Sequence, residues 1–152
     1  MRKFPSEEWF SDLQQAMDAN LDKYRRLGTI EMTLYVKINF DDDRSEIYKL
    51  VFNGYRCKEV KQVKSPELGS TQEAAVLEGD YETWKEMVSD IRKNGGAKLN
   101  HTLNYLTLPD VPFRVWSEGD QAQLDIDRFF RFNESLQQFF DESANFETEF
   151  RE

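Results

Sequence analysis

Apolar residues recur at two different periods along the chain, and the period changes where the elements change. In "SEEWFSDLQQAMDANLDKYRRLG", Phe10, Leu13, Met17, Leu21 and Tyr24 stand three or four residues apart. That spacing places them on one face of a helix. Ser6 is positioned to cap it, and Glu7 and Glu8 suit the positive end of its dipole. Arg25 and Arg26 suit the last turn, and Gly28 is a fitting stop, so one continuous helix is predicted. The next segment, "TIEMTLYVKINF", alternates. Ile30, Met32, Leu34, Val36, Ile38 and Phe40 point one way; Thr29, Glu31, Thr33, Tyr35, Lys37 and Asn39 point the other. A strand with one buried face follows, and the helix is expected to pack on its even-numbered face.

"DDDRSE" turns the chain into "EIYKLVFNGYRCKEVKQV". Asn53-Gly54 is the preferred pair for a two-residue hairpin turn. It predicts Phe52 opposite Tyr55, Leu50 opposite Cys57 and Tyr48 opposite Glu59. "KSPELGSTQE" reads as a loop and "AAVLEG" as a fourth strand. Asp80 then caps the helix "YETWKEMVSDIRKN", with Tyr81, Trp84, Val88 and Ile91 on one face and Gly95-Gly96 as its stop.

Two later segments admit two readings each. "AKLNHTLNYLTL" is either a helix through Leu99, Leu103 and Leu106 or a segment ending as a strand. Pro109 and Pro112 break what precedes them, and "FRVW" suits a short edge strand. After Glu118-Gly119-Asp120, Ala122, Leu124 and Ile126 alternate as in a hairpin strand, or Asp120 caps a helix directly. Both readings meet in the helix "DRFFRFNESLQQFFDESANF". Phe129, Phe132, Leu136 and Phe139 share its inner face, with Phe130 and Phe140 beside them. The Glu-Gly-Asp phrase itself, written at 78–80 and again at 118–120, is explained as punctuation: Gly ends an extended segment and Asp offers a cap or turn acceptor.

Composition narrows the picture. The 152 residues suit one domain over 1–152, with a core over about 4–144 and a frayed tail over 145–152. Charged residues are 32% of the chain, yet 12 Phe, 6 Tyr and 3 Trp require a core. The net charge of -9 repels phosphate backbones and anionic membrane surfaces, so no nucleic acid partner is expected. No run approaches the roughly 20 apolar residues of a membrane span. The single cysteine, Cys57, allows no internal disulfide, and "MRKFPSEEWF" has no apolar run behind its basic residues. A cytoplasmic protein is expected.

Candidate chemistry is sparse. His101 is the only histidine, and no Cys-His spacing suits zinc. Gly95-Gly96 lacks the Lys and Ser/Thr of a nucleotide loop. "DDDRSE" lacks the Gly and Glu of a calcium loop. Asp120, Asp125 and Asp127 are acids at the start of a helix rather than a metal set. Cys57 reads as a buried inert thiol. No catalytic residue, metal or cofactor is assigned, and the aromatic excess remains. It makes either a well-filled core or an enclosure for an apolar ligand.

At this point the chain resembles a known family. "FPSEEWFSDL" carries a Trp near the start of the first helix, and three antiparallel strands with a Gly turn follow. "EGDYETWKEMVSDI" places Tyr81 and Trp84 after a strand, and Gly119-Asp120 stands before the last helix. This arrangement, over about Phe4 to Ala144, is similar to the sterol carrier protein family (type 2). The segment from Gly96 to Glu118 is longer and more Pro-interrupted than the family pattern, and the last helix is richer in Phe. The resemblance implies an α+β fold: a mostly antiparallel sheet of about five strands, helices packed on one face, and an apolar cavity between them. It implies binding or transfer of a lipid, sterol or acyl chain, without catalysis. The residues expected to line the cavity are Phe10, Met17, Met32, Leu34, Phe52, Trp84, Trp116, Phe129, Phe132 and Phe139. The alternative is an interaction module whose Phe-rich helix docks on a larger enzyme or forms a homodimer.

Overall fold

The alternating segment becomes the central strand of the sheet, and it is buried on both faces. In the computed structural model, which describes residues 2–69, 73–108 and 112–151, β1 (Arg2–Phe4) leads into α1 (Glu7–Asp18) and α2 (Leu21–Leu27). A meander follows: β2 (Met32–Asn39), β3 (Ser45–Asn53) and β4 (Arg56–Val63). Then come β5 (Ala74–Asp80), α3 (Tyr81–Asn94), a 3-10 turn (Leu99–His101), α4 (Leu103–Leu106) and β6 (Arg114–Trp116). The chain finishes with α5 (Ala122–Arg131), α6 (Asn133–Asp141), a 3-10 turn (Glu142–Asn145) and β7 (Thr148–Phe150). Five strands lie in the order β4-β3-β2-β5-β6. All neighbours are antiparallel except β2 and β5. The fold is therefore α+β with a mostly antiparallel sheet, as expected.

Burial on both faces of β2 corrects the one-faced reading. Its even-numbered residues Met32, Leu34, Val36 and Ile38 join the main core. Tyr35, on the reverse face, packs with Ile47, Ala74 and Val76, and Val63, Leu68 and Trp116 cover that cluster. Leu68 belongs to the loop 64–73, of which residues 70–72 lie outside the described part; Pro109 does too.

Two helices that periodicity predicts as continuous are each broken in two. Ser6 caps α1 as expected, its Oγ accepting from the Trp9 N–H at 3.0 Å. The helix then ends at Asp18. Asn20 explains the break: its side chain donates to the Ala16 carbonyl at 3.0 Å and reaches toward Glu142. Such a side chain competes with the helical backbone. Leu21 is left at the surface, while Tyr24 is buried. The terminal helix also divides, at Phe132 (φ −96°, ψ 11°). The break buries Phe129, Leu136, Phe139 and Phe140 together and leaves Phe130 and Phe132 half-buried. α1 itself lies over the β3–β4 hairpin rather than β2. Phe10 stacks near Tyr48 at 4.8 Å, and Gln14 donates to the Cys57 carbonyl at 2.8 Å.

The hairpin turn sits one residue later than expected. Asn53 pairs with Arg56, Phe52 with Cys57, Leu50 with Val60 and Tyr48 with Gln62. The register shifts at Val51/Phe52, where Lys58 is the extra residue of a bulge. In the later segments the helical readings hold in fragments, α4 and α5, and β6 is the short edge strand.

Both Glu-Gly-Asp copies mark places with no room for a side chain. A Cβ on Gly79 would run into the Phe113 ring. A Cβ on Gly119, whose φ is +94°, would lie 2.8 Å from the Gly69 Cα. Neither Asp80 nor Asp120 makes the cap expected of it: α3 has no side-chain cap bond, and Gln121 stands at the N-cap of α5.

The segment read as a frayed tail is ordered. β7 pairs in parallel with β1, joining residues 2–4 to 148–150. The Trp9 indole donates to the Thr148 hydroxyl at 3.0 Å, the Tyr81 hydroxyl to the Arg151 carbonyl at 2.6 Å, and Arg151 to Glu46 at 2.6 Å. Arg92 holds the preceding stretch through the carbonyls of Ala144 and Phe146. Truncation after Phe146 is expected to cost at least about 3 kcal/mol in a urea titration, near 1 kcal/mol for each of the three side-chain bonds named above, with the β1–β7 pairing lost as well. An unchanged midpoint would restore the frayed-tail reading.

Candidate functional site

The expected lining residues come from seven elements and the α5–α6 junction, and the fold converges most of them. Phe10 and Met17 descend from α1, Trp84 from α3, Phe129 from α5 and Phe139 from α6. Met32, Leu34 and Phe52 rise from the sheet, and all eight are buried in one continuous apolar layer. Phe52 meets Phe139 edge to face, with ring centroids 5.1 Å apart. Phe132 packs half-buried at the margin. Trp116 is not brought to this layer. It lies on the reverse face of the sheet opposite Val76, and its indole donates to Glu78 at 2.8 Å.

Residues that sequence periodicity did not select complete the layer. Phe113 lies 4.4 Å from Trp84, centroid to centroid, and Phe140 lies 5.7 Å from it. Phe4 centres an aromatic group with Trp9 at 4.6 Å, Phe150 at 6.1 Å and Tyr81 at 6.3 Å. The layer is filled by its own side chains: Phe10, Leu34, Trp84, Phe129 and Phe139 each have 0% exposure. A cleft of about 400 Å3 does open at the surface, lined by Phe40, Arg44, Tyr81, Lys85 and Arg151 among others. None of the ten expected residues lines it.

The polar groups around the layer are mostly tied down. The Glu142 carboxylate, fully buried at the α2–α6 junction, accepts from the Tyr24 hydroxyl at 2.8 Å and from Asn145 at 3.1 Å. Lys23 stands 3.5 Å away. Burial first, then the Glu142 charge, pushes the Tyr24 phenol well above its ordinary range. Burial likewise raises Asp141, although Ala97 N–H and Gln137 bond it. On the reverse face burial works against the Glu78 carboxylate, but bonds from Asn39 and Trp116 and the Lys37 charge outweigh it and hold the group low. Trp84 is different. Trp9 and Trp116 donate to protein acceptors, whereas the buried Trp84 Nε1–H has no partner among the described residues.

Among the described residues, no group of three His, Cys, Asp or Glu is placed to hold a metal ion. His101 lies near the surface, 3.6 Å from Asp90 and 3.9 Å from Glu86. "DDDRSE" is an exposed turn with an Asp42–Arg44 pair at 2.8 Å. Cys57 is buried, and burial pushes its thiol up to about 12. Among the described residues, no helix is long and apolar enough to cross a membrane.

No family model matches the chain. No curated protein matches it either. Solved structures do. The crystal structure of sterol carrier protein 2 superposes with a TM-score of 0.65 at 14% identity, covering 93% of this chain and 98% of that one. The solution structure of a conserved hypothetical protein from Thermus thermophilus, described as a possible sterol carrier protein, gives 0.62 at 15% identity. It covers 91% and 88% of the two chains. The chain therefore has the sterol carrier protein 2 fold.

Two outcomes follow from the buried groups. Glu142→Ala strands several buried donors and is expected to cost about 3 kcal/mol in a denaturant titration; a loss below about 1 kcal/mol would contradict its place as a buried anchor. The Cys57 thiol is raised in the fold from an ordinary 9.0 to about 12. Its stabilising contribution is thus complete below pH 9.0 and is lost progressively as the pH rises from 9.0 to about 12. At pH 8 a disulfide reagent should modify the native chain about 100-fold more slowly than the chain in guanidinium. Equal rates would show that the thiol is accessible.

Proposed function

We propose that this chain, built on the fold of sterol carrier protein 2, binds an apolar small molecule between its sheet and its helices. The ligand class is a lipid, sterol or acyl chain, and the action is holding or transfer. No catalytic step is assigned. The observation that carries the reading is the fold shared over 93% of the chain with a protein named as a sterol carrier. The interlayer supports it, because Met17, Met32, Phe52 and Phe139 are side chains that an apolar guest can replace. Met is unbranched and adaptable, and each methylene of a bound hydrocarbon gains about 0.8 kcal/mol on leaving water. In the proposed bound state the guest takes the place of part of the side-chain filling, and the layer widens around it. Phe10, Leu34, Trp84, Phe129 and Phe132 form its remaining walls in this reading, with Trp116 left on the far side of the sheet. An aqueous, reducing compartment such as the cytoplasm suits the buried free thiol of Cys57.

A second reading draws on exposed apolar side chains. Leu99, Tyr105, Leu108 and Leu124 are exposed by 87%, 57%, 59% and 56%. Large apolar side chains so exposed suit contact with a partner enzyme or a second copy. Leu99, Tyr105 and Leu108 lie in and just after the 3-10 turn and α4, and Leu124 on α5, rather than on the Phe-rich inner face of α5 and α6.

Titration with Nile red, an uncharged apolar dye, tests the first reading. One equivalent should bind with enhanced emission, and long-chain alcohols should displace it in a saturable way. If the natively folded chain takes up neither dye nor alcohol, and sediments as a dimer instead, the carrier reading fails and the docking surface takes its place.

A further inference from the structure

Trp84 is the point at which the buried layer is chemically incomplete. Its side chain has 0% exposure, and its ring lies between those of Phe113 at 4.4 Å and Phe140 at 5.7 Å. Met87 and Val88 flank it on α3, both fully buried. A buried indole N–H normally finds an acceptor, because leaving the donor unmade forfeits its bond to water. The other two tryptophans obey this, Trp9 with Thr148 and Trp116 with Glu78, and Trp84 Nε1 has no acceptor among the described residues. Phe would fill a purely apolar position without that cost. Among the described residues Arg128 Nε, Asn133 Nδ2, Ser143 Oγ and Arg151 Nε are also buried without a partner, but the Trp84 donor is the one set between the rings of Phe113 and Phe140, where a guest in the aromatic layer would meet it.

The sign of the surroundings narrows what the guest carries. The buried charged residues of the described chain are Asp125 and Glu142, both acids. Glu142 is engaged by Tyr24, Asn145 and Asn20. Asp125 stands with Arg128 beside it, and Arg128 pairs with Glu73 at 3.5 Å. Among the described residues no Lys, Arg or His is wholly buried; Arg128 keeps its Nε out of water, but its guanidinium is paired with Glu73. A carboxylate brought to this position would lose its hydration and gain one N–H bond, with no positive charge to offset the loss. A hydroxyl, ketone or ester oxygen loses far less and satisfies the same donor.

We infer that Trp84 is the specificity-determining donor of the ligand site, and that its ligand is a hydrocarbon bearing one neutral oxygen acceptor rather than a free fatty acid. This rests on the carrier reading proposed above. The guest's oxygen accepts from Trp84 Nε1, and its hydrocarbon runs along the layer toward Phe139 and Phe52.

The test compares 1-dodecanol, dodecane and dodecanoate at pH 8, each displacing Nile red from the full chain and from W84F. Dodecanol should bind the unmodified chain about tenfold more tightly than it binds W84F, the worth of one well-made buried hydrogen bond. Dodecane should not distinguish the two proteins. Dodecanoate should bind the unmodified chain more weakly than dodecanol does. A second measurement needs no variant. Among the three indole N–H signals in a nitrogen-15 correlation spectrum, the Trp84 signal should move downfield with dodecanol and stay in place with dodecane. If dodecanol and dodecane bind alike, or the Trp84 signal responds equally to both, the inference is overturned while the carrier reading stands. Tighter binding of dodecanoate than dodecanol overturns it as well. If neither the dye nor any of the three compounds binds, the carrier reading falls and takes the inference with it.

Discussion

Strand β2 is paired on both edges and covered on both faces, and the remaining elements are arranged to meet that demand. Its antiparallel register with β3 and its parallel register with β5 leave no backbone group of residues 33–38 facing solvent along a sheet edge. Pairing in parallel with β5 obliges the chain to cross over between β4 and β5. The helices then collect on the even-numbered face, because Met32, Leu34, Val36 and Ile38 are there to be buried. The smaller reverse cluster, with Tyr35 at its centre, receives only a loop and the edge strand β6.

What was legible in the sequence was periodic. Six alternating residues announced β2, and steps of three and four announced α1 and α3. The same periods assign Phe10, Met17, Trp84, Phe129 and Phe139 to helix faces that the fold brings into one layer. The errors lie where a partner distant in sequence decides. The α1–α2 break depends on Asn20 and Tyr24 meeting Glu142, which is 122 and 118 residues away. A single period runs straight through it. The face of Trp116 could not be read because β6 has three residues, too few to show alternation against its neighbours. Phe113 was missed for a related reason. Its place is defined by the side chain that Gly79 does not have, and an absence leaves no periodic signal.

The polar interior divides into two kinds. Glu142 is over-satisfied: several donors converge on one carboxylate, and they fasten α2 to the end of α6. Such a group gives the helical layer a fixed register, at the cost of keeping a charge away from water. Trp84 is under-satisfied in a region otherwise built of rings and methylenes. One group constrains how the helices sit, and the other leaves a donor open in the middle of what they cover.

The β1–β7 ribbon joins the two stretches farthest apart in sequence, residues 2–4 and 148–150. During synthesis α1 can form early, from its own residues, but its Trp9 has no acceptor until Thr148 has left the ribosome. The meander β2–β3–β4 can assemble in that interval, since its contacts are local. Closure of the aromatic group around Phe4 must wait until Phe150 and Arg151 arrive beside it. High separation of this kind slows folding, because a long loop is closed before any contact repays it. Until residues 148–151 arrive, the chain thus presents an apolar layer that is open on one side, and that short segment shuts it.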